Sequence, residues 1–236
     1  MQRLYCIDDK YNHLLNRRSK MNLRHLHIKI FFSSIFAISM AYLESAVVVY
    51  LRELYYPDGF QFPLIGIPFK ILITEIGREA ATILMLFAYA KSIGRNSREV
   101  MAYLMYNFGL WDIWYYIWLK VLLDWPASML EWDILFLIPV PWLGPVLAPV
   151  LVSLALIGAA YTILRYEAKE KPIRLTKNDW IFEIISGLII IFSFLTELNN
   201  QRMIDAPDYY RWWIFLFGLI FGLTIFVRRV TKCVGT

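Results

Sequence analysis

The chain has 236 residues, of which 18% are charged and 59% are hydrophobic, and its formal net charge is +5. A typical soluble domain has about 25% charged and about 45–50% apolar residues. The composition therefore excludes a soluble single-core domain, a disordered chain and a disulfide scaffold, and it favours a bundle of membrane helices. We expect the surplus of basic residues to orient the protein among membrane lipids, and we expect no nucleic-acid partner.

Six stretches are long and apolar enough to be transmembrane helices, which need about 20 mostly apolar residues. They cover residues 30–51, 68–90, 100–123, 134–164, 180–195 and 212–227. Eighteen of the 24 Lys and Arg residues fall at the two ends of the chain and in the segments on the same side of these spans. Because basic residues accumulate on the cytoplasmic side, we predict an all-α integral membrane protein with both termini in the cytoplasm, in a bacterial or archaeal plasma (inner) membrane.

The charge pattern divides the chain into four parts. Residues 1–29 are predicted to be a basic cytoplasmic segment, 30–164 a four-helix membrane core, 165–178 a charged cytoplasmic linker and 179–236 a two-helix membrane hairpin. The long basic leader before the first span predicts an uncleaved anchor rather than a signal peptide.

The fourth stretch contains four prolines, Pro139, Pro141, Pro145 and Pro149, a spacing through which a helix cannot run smoothly. We predict that residues 134–144 form a short, broken or re-entrant piece and that the span itself covers 145–164, with Pro145 near its first turn. Irregular backbone at membrane depth is tolerated only where it is buried or lines a cavity. We therefore expect this piece to cap a polar site, with its freed carbonyl groups facing that site.

Ionisable residues inside the predicted spans mark the candidate site, because intramembrane charges are costly and are functional candidates by default. The first three spans carry Glu44, Glu75, Arg78, Glu79 and Asp112. A rise of about 1.5 Å per residue places Glu44 and Glu75 in one layer, and the other three in a second layer nearer the midplane. One arginine cannot balance four carboxylates, so we expect protonation of some or a bound cation. The structural alternative is a buried ion pair of Arg78 with Glu75 or Glu79 that only fixes the helix register.

Aromatic and polar side chains toward the outer side extend this site, because such rings can line a pocket for an apolar or cationic ligand. The predicted substrate-binding residues are Arg78, Trp111, Tyr115, Tyr116, Lys120, Asp133 and Trp142. Lys120 can pair with Asp112 or Asp124, or extend to the membrane interface. The aromatic loop at residues 55–63 is either a cover of the same site or a plain interfacial connector.

Glu75, Glu79 and Asp112 are also the candidate ligands for a hard cation such as Mg²⁺ or Ca²⁺. The predicted spans contain neither histidine nor cysteine. We therefore expect no haem and no zinc.

Three functions fit these patterns, and no nucleotide-binding or metalloprotease motif selects among them. The first is an enzyme that acts on a lipid or other apolar substrate from the outer leaflet, with Glu44, Glu75, Glu79 and Asp112 as acid–base groups or cation ligands. The second is an ion- or proton-coupled transporter or channel subunit that works as a homo-oligomer. The third is an accessory subunit of a membrane complex. The mixture of acids, arginine, tyrosines and tryptophans favours the enzyme.

Overall fold

The computed structural model describes residues 2–57, 68–196 and 209–234, with residues 2–22 and 234 described by their helical backbone alone. Six α-helices and one β-hairpin follow in chain order: α1 Gln2–Tyr55, α2 Phe69–Ile93, α3 Ser97–Leu123, β1 Trp132–Phe136, β2 Trp142–Pro145, α4 Leu147–Ala168, α5 Lys177–Leu195 and α6 Trp212–Val234.

Four helical stretches in the described residues are long and apolar enough to cross a membrane, which indicates a membrane protein. They are Leu23–Tyr55, Leu147–Ala168, Lys177–Leu195 and Trp212–Cys233. Helices α2 and α3 are also long, but their polar and charged side chains keep them out of this set. The six-span arrangement and the orientation of the termini stay predictions.

The first helix is longer than its predicted span. It runs without a break over 54 residues, so the predicted basic segment 1–29 has a helical backbone from Gln2 onward and joins the span directly. A helix of this length measures about 80 Å, against about 30 Å for the apolar core of a bilayer. The part of α1 before Leu23 therefore lies entirely outside the candidate span.

Side-chain caps fix where two of the helices begin. The Asn96 carboxamide accepts hydrogen bonds from the backbone N–H groups of Arg98 and Glu99 at the start of α3. Thr176 and Asp179 form a reciprocal capping box at the start of α5. Such caps satisfy N–H groups that have no partner inside the helix.

The proline-rich stretch forms a β-hairpin, where the sequence predicted only a short, broken or re-entrant piece. Strands β1 and β2 pair in antiparallel fashion, with a register irregularity between Ile134 and Phe136. Pro139 and Pro141 lie in the connection between the strands, where no ladder hydrogen bond is lost. Pro149 lies in the first turn of α4, where its missing N–H removes no helical bond.

Helix α3 is central and packs against α1, α2 and α4. Its contact with α4 is close at Gly109, where a Cβ atom would lie 2.7 Å from the carbonyl oxygen of Ser153. Helices α5 and α6 pair mainly with each other and contact the rest through β2 and α4. The contact with β2 lies in an aromatic cluster formed by Trp142, Phe194, Tyr210 and Phe215.

Candidate functional site

A cavity of about 500 Å³ lies between α1, α2, α3 and the β-hairpin. Its volume is within the usual range of small-molecule sites, about 300–1,000 Å³. Nine of the eleven predicted site residues line it: Glu44, Glu75, Arg78, Glu79, Trp111, Asp112, Tyr115, Tyr116 and Asp133. We call this space the carboxyl cavity.

Arg78 joins two of the helices that form the carboxyl cavity. Its guanidinium contacts the Glu44 carboxylate of α1 and donates a 2.8 Å hydrogen bond to Glu75 on α2. The Thr82 hydroxyl donates a further bond of 3.2 Å to Glu44. The sequence grouped Arg78 with Glu79 and Asp112 by depth, whereas its ion pairs are with the Glu44–Glu75 layer. The ion pair of Arg78 with Glu75 is also one of the two pairs expected if these charges only fix the helix register.

Asp112 and Glu79 are held by neutral donors. The Ser153 hydroxyl of α4 donates a 2.7 Å hydrogen bond to Asp112. The backbone N–H of Leu137 in the hairpin donates to both oxygens of Glu79, at 3.1 and 3.0 Å. Within the described part of the chain, neither carboxyl group forms an ion pair with Lys or Arg. The hairpin thus offers the site an N–H donor, where the sequence analysis expected free carbonyl groups.

Asp133 lies on β1 and faces Tyr116 and Arg52. The Tyr116 hydroxyl donates to its carboxylate at 3.2 Å, and Arg52 Nη2 lies 3.9 Å from its other oxygen. The Arg52 guanidinium also stacks 3.9 Å above the centre of the Trp125 ring. Burial raises the pKa of Asp133 to about 6, although the Arg52 charge opposes the rise. The Arg52 charge therefore offsets only part of the cost of burying this carboxyl group.

Arg52 is a lining residue that the sequence analysis missed. It lies one residue beyond the end of the predicted first span. Its position eight residues after Glu44 is a usable signal, because residues spaced by four and eight share one face of a helix. Both side chains line the cavity from α1.

Two predicted binding residues lie away from the cavity. Lys120 pairs with Asp124 at 2.7 Å, and both side chains are exposed. Trp142 stacks on Phe194 of α5, with ring centres 6.2 Å apart.

Aromatic side chains form part of the cavity wall. Trp111 is buried, and its indole N–H has no hydrogen-bond partner among the described residues. Tyr115 and Tyr116 pack edge to face, 5.0 Å between ring centres. Tyr55 and Tyr56 also line the cavity, whereas residues 58–63 of the predicted cover loop lie outside the described residues.

The three predicted cation ligands Glu75, Glu79 and Asp112 line the same space but are not grouped around one point. In the residues that the structure describes, no three His, Cys, Asp or Glu side chains are placed to hold a metal ion.

The fold and the cavity together define a helical membrane protein with a buried polar site. Comparison with protein-family models, with curated proteins and with solved structures finds no match to this chain.

Proposed function

We propose that the protein is an enzyme that performs acid–base chemistry on a lipid or another apolar substrate inside the carboxyl cavity. One observation carries this proposal: five carboxyl groups, two guanidinium groups and several aromatic rings surround a single space of about 500 Å³. Buried groups of this kind need partners or a function, because isolated charges are costly away from water.

The carboxyl groups divide into two sets. Glu44 and Glu75 pair with Arg78, and Asp133 faces Arg52. Glu79 and Asp112 keep only neutral donors in the described structure. A carboxyl group without a fixed counter-ion can change its protonation state without breaking an ion pair. We therefore assign proton transfer to Glu79 and Asp112 and a supporting role to the ion-paired set.

The lining also restricts the substrate. Five acids against two arginines make the cavity acidic, which disfavours an anionic substrate. The faces of Trp111, Tyr115 and Tyr116 favour an apolar body or a cationic group. An apolar molecule with a neutral or cationic polar group meets both conditions.

The test uses the purified protein in detergent, incubated with a total membrane lipid extract and followed by mass spectrometry. We expect the wild-type protein to deplete at least one lipid and form a product. Glu79→Gln and Asp112→Asn should lower that turnover by about 100-fold or more, in line with the loss of a general acid or base.

Asp124→Asn is the matched control, because this carboxylate belongs to an exposed pair outside the cavity. It should keep wild-type turnover. Full turnover in both cavity variants, or no change in any lipid with the wild-type protein, would show that the proposal is wrong.

A further inference from the structure

A second cavity separates the α5–α6 pair from α3 and α4. It has a volume of about 750 Å³. It lies in the opposite half of the bundle from the carboxyl cavity, since its lining includes the start of α3, the end of α4 and the start of α5. We call it the inner crevice, because the charge pattern predicts a cytoplasmic position for this end.

The crevice is present because α5 and α6 pack more extensively against each other than against α3 and α4. Ser186 of α5 donates a 2.8 Å hydrogen bond to the carbonyl of Gly218 on α6. At Gly222 a Cβ atom would lie 2.5 Å from the Ser186 hydroxyl, so the two helices touch there. At the far end, the aromatic cluster around Phe194 ties the pair to the β-hairpin. The inner end has no comparable cluster in the described residues, and a space remains.

The deep part of the inner crevice is apolar. Its walls, farther from the inner end than Glu183, carry Met105 from α3, Leu156 from α4, Ile190 from α5 and Leu219 from α6. Methionine and unbranched apolar surfaces adapt to flexible hydrocarbon. An acyl chain suits these walls.

The end of the crevice is basic. The backbone carbonyl of Arg174 accepts a 2.6 Å hydrogen bond from Arg229 of α6, which holds the linker at this end. The exposed guanidinium of Arg174 makes no ion pair with a described residue, whereas Arg98 already pairs with Glu167. Arg174 is thus a positive charge available to an anion.

Glu183 lies between the basic end and the apolar walls. It lies about 10 Å along α5 from the N-cap residue Thr176, at 1.5 Å per residue. It lines the crevice, and its Oε1 atom is buried without a hydrogen-bond partner in the described structure. Such a carboxyl group can accept from a ligand O–H or, in its protonated form, donate its own O–H to an ester oxygen of a ligand.

We propose that the inner crevice binds one anionic glycerophospholipid. The phosphate would lie on Arg174, the glycerol region beside Glu183 and an acyl chain along the deeper walls formed by Met105, Leu156, Ile190 and Leu219. From the inner end of the crevice inward, a basic residue is followed by a polar residue and then by apolar walls. A glycerophospholipid has its phosphate, its glycerol linkage and its hydrocarbon chains in the same order. This site is separate from the carboxyl cavity and does not depend on the enzymatic function.

The test measures lipid binding to the purified, delipidated protein by native mass spectrometry. The probes are phosphatidylglycerol, a diacylglycerol with the same chains but no phosphate, and inorganic phosphate. We expect one bound phosphatidylglycerol, binding at least tenfold weaker for the diacylglycerol, and no competition from inorganic phosphate.

Two variants locate the site. Ala159→Phe fills the crevice wall, and Arg174→Glu reverses the charge at its end; each should weaken phosphatidylglycerol binding at least tenfold. Leu154→Phe places the same ring on an exposed position of α4 outside the crevice and should bind as the wild type.

Three results would overturn the proposal. They are equal binding of the diacylglycerol, displacement of the lipid by inorganic phosphate, and unchanged binding in Arg174→Glu. The last result is decisive even if Ala159→Phe fails to fold, because Arg174 is exposed and its replacement leaves the packing intact.

Discussion

Arg78 is the residue that organises the carboxyl cavity. It pairs with acids from two helices, Glu44 on α1 and Glu75 on α2, and the three groups together keep one net negative charge. Only 21% of its side chain is exposed, so little water is available to replace these contacts. Arg78 therefore offsets the desolvation cost of burying two carboxylates, and it adds little net stabilisation beyond that.

Replacement of Arg78 by methionine should therefore destabilise the protein. Breaking a buried pair by removal of one partner costs about 3–5 kcal/mol, and the residual exposure of Arg78 puts the expected value near the lower figure. Thermal unfolding in detergent measures the change. The triple variant Arg78→Met, Glu44→Gln, Glu75→Gln should recover most of the loss, because no uncompensated charge remains.

Lys120→Met is the control for this prediction. It breaks the exposed pair with Asp124, and such pairs contribute about 0–1 kcal/mol. If Arg78→Met unfolded at the wild-type temperature, the bridge between α1 and α2 would have no energetic role.

At the scale of single residues, the sequence located the charged side chains of the cavity but not the groups that they contact. Glu44, Glu75, Glu79 and Asp112 were predicted to converge from their positions in the spans, and all four line one cavity. The Leu137 N–H that binds Glu79 has no residue-type signature, because every residue except proline carries this donor. Trp142 was predicted to bind substrate, whereas its ring stacks on Phe194. The pairing of β1 with β2 that places it there is not visible in the sequence.

The elements that hold the cavity depend on close contact between α3 and α4. Gly109 lets the backbone of α3 approach Ser153, and Ser153 in turn donates the hydrogen bond to Asp112. Packing at Gly109 is therefore coupled to the position of a cavity carboxyl group.

Gly109→Ala should force the two helices apart, because its Cβ would lie 2.7 Å from the Ser153 carbonyl oxygen. The expected loss is about 1–3 kcal/mol, as for other overpacked interiors. Gly77→Ala is the matched control in α2, where a Cβ meets nothing within 4 Å. It should be neutral or stabilising by up to about 1 kcal/mol. Equal unfolding temperatures for the two variants would contradict the close contact.

The positions of α2, α3, α5 and α6 follow the predicted apolar stretches, because such stretches are a local signal, whereas α1 begins far ahead of its predicted span. Pro145, predicted near the first turn of the fourth span, instead ends β2, and α4 begins at Leu147. The β-hairpin was not predicted as such, because proline spacing shows where a helix stops but not what replaces it. The pairing of β1 with β2 also needs contacts between residues that are apart in the chain.

The whole molecule has an uneven charge distribution that predicts its orientation. The loop between α2 and α3 and the linker between α4 and α5 are basic, whereas the segment between α3 and β1 carries Asp124 and Glu131. Basic segments stay in the cytoplasm. The carboxyl cavity would then lie in the outer half of the membrane and the inner crevice in the inner half.

Cysteine labelling tests this orientation. In a background with Cys6→Ser and Cys233→Ser, a membrane-impermeant maleimide should label Ala127→Cys on intact cells. It should label Lys171→Cys only after permeabilisation. Both positions are exposed, so the label can reach them. The reverse labelling pattern would show that the protein has the opposite orientation in the membrane. Labelling of both cysteine positions on intact cells would contradict the predicted alternation of the spans.

The Arg78 bridge also bears on how the chain enters the membrane during synthesis. Asp, Lys or Arg at the centre of a helix raises the free energy of insertion by about 2.5–3.5 kcal/mol each, and α2 carries two acids and an arginine close together. Glu44 on α1, made just before α2, is a second carboxylate that contacts Arg78. If α2 crosses the membrane as the sequence predicts, Glu44 meets its counter-ion only when α2 follows α1 into the bilayer, so we expect the two helices to insert as a pair.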